Sequence, residues 1–179
     1  MTMKKFFLLA PLALFLLVVG CKKIDQLLTF TVDTTQSVEV PAFPGTNLLA
    51  PVTVTTNSAA SFQNNKTSKD KVKDVYLDQL VLTITNPAGK TFDFLDNLEV
   101  YINTPNGNNK ILLANITSVP QGTNTIKLTP TTARLDEYLK SETYELTVIA
   151  KTNNKAFDPN TLKYTVKADS RFKVTANPL

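Results

Sequence analysis

The chain has 179 residues, a formal net charge of +4, no histidine, no tryptophan and one cysteine. Without histidine there is no Ser-His or Cys-His nucleophile pair and no histidine-ligated zinc, and one cysteine cannot form an internal disulfide. Only two arginines are present, Arg134 and Arg171, and no basic stripe runs along the chain, which argues against nucleic acid as a partner.

At the front, Lys4 and Lys5 precede the apolar run "FFLLAPLALFLLVVG", which ends at Cys21 and is followed by Lys22 and Lys23. The run is roughly 15 residues, short of the ~20 that a bilayer-crossing helix needs, and it reads as an export segment. Its end, Leu17-Val18-Val19-Gly20-Cys21, resembles the lipobox of bacterial lipoproteins, with Val19 where a smaller residue is common. In that family the cysteine sulfur receives a diacylglyceryl group, the chain is cut just before the cysteine, and the new amino group is commonly acylated. A thiol suits this role because its thiolate is a strong nucleophile. The resemblance therefore implies a signal peptide over 1–20, lipidation at Cys21 and a membrane anchor, which two or three acyl chains make stable. No aspartate follows Cys21; by analogy with enteric lipoproteins this implies the outer membrane, on its periplasmic or cell-surface face. The likeness covers about 21 residues and is silent on the rest.

Residues 21–26 form a short tether. About six residues at ~3.3 Å each reach no more than ~20 Å, so a single domain over 27–179 is expected close to the membrane. Alternation of apolar residues begins at once, with Phe30 and Val32, then Val38 and Val40, then Val52 and Val54. The segment 58–74 is polar and is expected to be a loop with a turn or two of helix. Leu80, Leu82 and Ile84 share one face, whereas Val75 and Leu77 are in the opposite phase, which predicts a bulge near Asp78-Gln79. Leu98, Val100 and Ile102 continue the alternation, and Asn106-Gly107 is the strongest hairpin signal. Ile111 and Leu113 follow, then Ile126 and Leu128. Leu135, Tyr138 and Leu139 lie at helical spacing in 131–140, with Thr132 as a favourable start. Tyr144, Leu146, Val148 and Ala150 make a further strand face. Leu162, Tyr164 and Val166 make another, and Phe172 and Val174 end the series.

Roughly nine or ten such strands at this spacing predict an all-β fold, an antiparallel β-sandwich with one or two short helices. The strands differ in length and two crossovers carry helices, which favours a sandwich over a barrel. The overall shape resembles the small immunoglobulin-like lipoproteins of diderm bacteria, an architectural likeness that leaves function open. Lysine on the exposed faces is expected to keep the domain monomeric.

Few residues carry chemistry. Ser68-Lys69-Asp70-Lys71 matches a Ser-x-x-Lys pattern without the further motifs of penicillin-recognising enzymes, so it reads as a solvated segment with Ser68 capping a short helix. Asp93, Asp96 and Glu99 could supply a carboxylate pair, but strand geometry scatters 93 and 96 to opposite faces. Asp and Asn oxygens crowd 93–109 without the order of a calcium loop. Tyr101 is out of phase with Val100 and Ile102 and is expected to face outward, and Phe157 sits in the loop "NNKAFDPN". These two are the candidate ligand contacts. No catalytic residue, metal site or cofactor is expected. The functional expectation is a lipid-anchored, non-catalytic envelope protein that binds an envelope protein or glycan, or serves a structural role. The alternative is a lipid-anchored glycan hydrolase working through carboxylates.

Overall fold

A computed structural model describes residues 27–41, 45–48, 50–105, 107–153 and 163–179. Nine strands and two short helices follow in the order β1 (Leu28–Pro41), β2 (Gly45–Leu48), β3 (Val52–Thr55), α1 (Ser58–Asn64), β4 (Val72–Asn86), β5 (Leu95–Asn103), β6 (Ile111–Ile116), β7 (Thr125–Pro130), α2 (Asp136–Lys140), β8 (Thr143–Thr152) and β9 (Lys163–Ala176).

Two pairs of apolar patches that read as separate strands in the sequence are each one long strand. In β1 the residues Phe30, Val32, Thr34, Gln36, Val38 and Val40 keep one parity, so the polar "DTTQS" between the patches never flips the inward face. The inward Thr34 is buried and its hydroxyl shares a 3.0 Å hydrogen bond with Tyr144 Oη, which removes the penalty of an unpaired polar group. Likewise β9 runs through the buried Ser170 from Tyr164 to Ala176. The two strands pair antiparallel without a register shift, from Leu28 opposite Ala176 to Pro41 opposite Lys163.

The sheets are β1-β9-β4-β7 and β6-β5-β8, the latter completed on its outer edge by β2 and β3, which both pair with β8. All pairings are antiparallel. Strand β7 joins the sheets at one corner: its first residues pair with β4, whereas Thr129 and Pro130 pair with β6. The antiparallel sandwich expected from the alternation is thus present, but its strand order is not that of an immunoglobulin domain. There the last strand lies beside its predecessor; here β9 lies between β1 and β4, in the opposite sheet from β8. Two sheets ordered β1-β9-β4-β7 and β3-β8-β5-β6 make a jelly roll.

The expected bulge in β4 falls between Leu77 and Gln79, and it returns Val75 and Leu77 to the same buried side as Leu80, Leu82 and Ile84. Helix α1 and a 3-10 turn at Lys69–Lys71 occupy the polar segment expected to hold a helical turn, and β4 starts at Val72. Ser68 precedes that turn but makes no side-chain capping bond. Helix α2 starts at Asp136, later than Thr132. The residues before it are pinned to the sheets instead, since Thr131 N donates to Leu113 O at 3.0 Å and Leu135 N donates to Val75 O at 2.8 Å. Asn106 lies outside the described residues. Gly107 N donates to Thr104 O at 2.9 Å, and a Cβ there would run into the side-chain oxygens of Thr104 and Asn109, so a larger residue in this turn would have to push both aside.

The two ends of the sandwich differ. At one end lie the starts of β1, β4 and β8 and the end of β9. Both helices cover this end: Phe62 of α1 meets Phe30 edge to face at 6.1 Å, and Lys140 Nζ of α2 donates to Val72 O at 3.2 Å. The C-terminal residues fold back over it, with Asn177 N donating to Lys71 O at 3.0 Å and Leu179 N to Lys66 O at 2.9 Å. The opposite end carries the turn containing the cis Asn86-Pro87 bond and the 3-10 turn Phe92–Phe94. A single apolar core joins the two ends.

Candidate functional site

Tyr101 does face outward on β5, as its phase requires, but it is not a free platform. Its hydroxyl donates to Glu99 Oε2 at 2.7 Å and Lys110 Nζ stands 5.2 Å from the ring centroid, so both its polar tip and one face are engaged. The hydrogen bond to Glu99, then burial, then the Glu99 charge push the Tyr101 phenol above its ordinary range. Phe157 lies outside the described residues, as does Cys21 with its tether.

The acidic run does not converge. Asp93 Oδ1 accepts from Gly122 N at 2.5 Å, Asp96 Oδ1 accepts from Asn153 Nδ2 at 2.5 Å, and Glu99 accepts from Tyr101. Each carboxylate is engaged by a different partner: a loop backbone, a side chain following β8, and a tyrosine of its own strand. Among the described residues no group of three or more His, Cys, Asp or Glu side chains is arranged to hold a metal ion.

Two concavities were not legible in the sequence. One is a cavity of about 90 Å³ between the sheets, lined by Val38, Val40, Leu82, Leu98, Leu146 and Val166 among others. Ligand pockets run to about 300–1,000 Å³, so this one is a packing gap rather than a binding site, and its apolar walls offer water few partners. The other is a cleft of about 510 Å³ at the helix-capped end, between α1 and the residues following α2. Its walls are mixed: Asn57, Ser68, Lys69, Lys140 and Glu142 bring polar groups beside the apolar surface of Ala59 and Phe62. Its inner edge is rigid, because Thr56 Oγ1 donates to Ser141 O at 2.9 Å and Thr56 N donates to Glu142 O at 3.0 Å. Its size and the charged side chains at its mouth make this cleft the candidate site. The signal in the sequence was the lysine run "KTSKDK", which reads equally well as a solvated segment.

No family model matches the chain, and no curated protein is significantly similar to it. Among solved structures, a chain of Desmodium yellow mottle tymovirus is 11% identical, with a TM-score of 0.30 over 86% of this chain and 82% of that one. A chain of turnip yellow mosaic virus is 15% identical, with a TM-score of 0.31 over 85% of this chain and 83% of the other. Likenesses this loose carry no weight for function. Among the described residues no helix is long and apolar enough to cross a membrane.

Proposed function

We propose that the chain is a lipid-anchored, non-catalytic protein of a bacterial cell envelope, held at the outer membrane through Cys21 and serving there as a binding or structural module. The observation that carries this reading is the placement of the sole cysteine at the end of "LLVVGC", after a charged start and an apolar run. Support for the non-catalytic part comes from the acidic run, where Asp93, Asp96 and Glu99 are each occupied by a separate structural bond. A carboxylate hydrolase needs two carboxyl groups facing one substrate, so that second reading gains nothing.

Intact-mass spectrometry of the membrane-extracted protein tests the proposal. The expected product begins at Cys21 and carries the added mass of a diacylglyceryl group, with or without a third acyl chain. The Cys21→Ser variant should keep its leader and carry no lipid. An exported product with a bare thiol at Cys21 overturns the anchor. Crosslinking in intact membranes followed by pull-down tests the binding role, and recovery of no specific protein or glycan removes it in favour of a structural one.

A further inference from the structure

The helix-capped end gathers four features that the sequence keeps far apart. Leu27, the first described residue, directly precedes the pair Leu28–Ala176, and on the other side of β9 Ala176 is also opposite Val72. The C-terminus crosses the same rim, where Asn177 is bonded to Lys71 and Leu179 to Lys66. Leu27 and Leu179 are 55% and 75% exposed, and with Tyr76 they are the exposed large hydrophobic residues of the described chain. Lys66, Lys69 and Lys71 project from this rim, exposed and without an ion pair among the described residues, while Lys69 and Lys140 also line the cleft. Asp70 and Asp74 are the carboxylates nearest the three rim lysines in the chain, and Asp74 is paired with Arg134 at 3.0 Å, while Glu142 lies across the cleft.

Exposed leucines beside unpaired lysines suit one environment, the boundary between anionic headgroups and acyl chains, where the ammonium stays wet and the apolar side chain does not. The chain leading to Cys21 enters at this same end. Its six residues reach at most ~20 Å, whereas β1 alone, at ~3.3 Å per residue, is about twice as long. A body tethered so tightly presents this end, and not the opposite one, to the bilayer. We infer that the helix-capped end is a membrane-docking surface, on which Lys66, Lys69 and Lys71 contact anionic phospholipid headgroups and Leu27 and Leu179 enter the interface. The inference rests on the proposed lipid anchor and adds the orientation of the body and the lipid class that it prefers.

The test uses the full lipidated protein in phosphatidylcholine vesicles with and without phosphatidylglycerol, at low ionic strength. Lysine acetylation by a water-soluble reagent is read residue by residue. On anionic vesicles Lys66, Lys69 and Lys71 should be labelled several-fold more slowly than on neutral ones, with Lys151 and Lys163 at the far end unchanged. Raised salt should restore the faster rate. The variant Leu27→Ser with Leu179→Ser should weaken the protection without releasing the protein from the vesicles. Protein that floats with the vesicles but shows equal labelling of the three lysines on both lipids overturns the docking surface and leaves the anchor standing. Protein that does not float at all overturns the anchor, and the docking surface with it.

Discussion

The two ends of the sandwich solve the same packing problem differently. At the helix-capped end the space between the sheets is filled by large rings: Phe62, Tyr138, Tyr144 and Phe172 are all within 2% of full burial, and Tyr144 meets Phe172 edge to face at 6.1 Å. Towards the other end, Phe94 stacks on Tyr164 at 4.7 Å and lines a gap with Phe92, but most of the remaining wall is Val, Leu and Ala, and that 90 Å³ gap stays open. Where the rings interlock the inter-sheet space is filled, and where aliphatic side chains make up most of the wall it is not. The end with helices and rings is therefore expected to be rigid and intolerant of change. The end with the gap has room to gain.

The largest contrast should come from deleting a ring. Phe62→Ala removes the side chain that locks α1 onto Phe30, and a loss of about 3–5 kcal/mol is expected for a buried Phe of this kind. Urea unfolding measures it. A loss below about 1 kcal/mol would mean that the helix-capped end is not the tighter of the two.

The next effect appears at alkaline pH. Burial pushes the Tyr144 phenol up to about 12, with the bond to Thr34 opposing, and burial and Glu137 push Tyr138 up to about 12. In the unfolded chain each returns to its ordinary value near 10. A raised folded value means that stability is full below about pH 10 and is lost as pH rises towards 12. For Tyr144 the loss is on the order of 2–3 kcal/mol. Phenolate absorbance during an alkaline titration should show ionisation of this ring only as the fold melts. In Tyr144→Phe, which forfeits the bond to Thr34 at a cost of about 1 kcal/mol, stability should fall less steeply above pH 10.

Filling the gap should act in the opposite direction and more weakly. Ala150→Val places two methyl groups at the cavity wall on a strand that favours β-branched residues, and a gain of about 0.5–1 kcal/mol is expected. A loss in the unfolding midpoint would show that the walls cannot accept even that volume. The smallest effect belongs to the outer face. Asp33→Asn breaks the 2.8 Å pair with Arg171 between two half-exposed side chains, and the change should stay within about 0.5 kcal/mol, shrinking further in salt.

The strand content was legible because a half-buried strand must alternate, and the inward residues of β4, β5, β7 and β8 fall where that alternation puts them. Even the bulge near Asp78-Gln79 was legible, as a change of phase. The continuity of β1 and β9 was not, because Thr34 and Ser170 are polar yet buried, and only a partner such as Tyr144 Oη makes that acceptable. The site was legible only in part. Tyr101 faces outward as its phase predicts, and the same phase puts Glu99 beside it, but Lys110 over its ring comes from a segment that the phase does not name.

By itself the sequence determined the class of fold, the lack of histidine chemistry and internal disulfides, and a sole cysteine at the end of an apolar run, since these depend on residue type and local spacing. Tertiary structure alone decided that β9 sits between β1 and β4, that Leu27, Lys66, Lys71 and Leu179 meet on one rim, and that a gap remains between the sheets. Those outcomes depend on pairing and fit between segments more than a hundred residues apart, and no local pattern encodes the geometry of a distant partner.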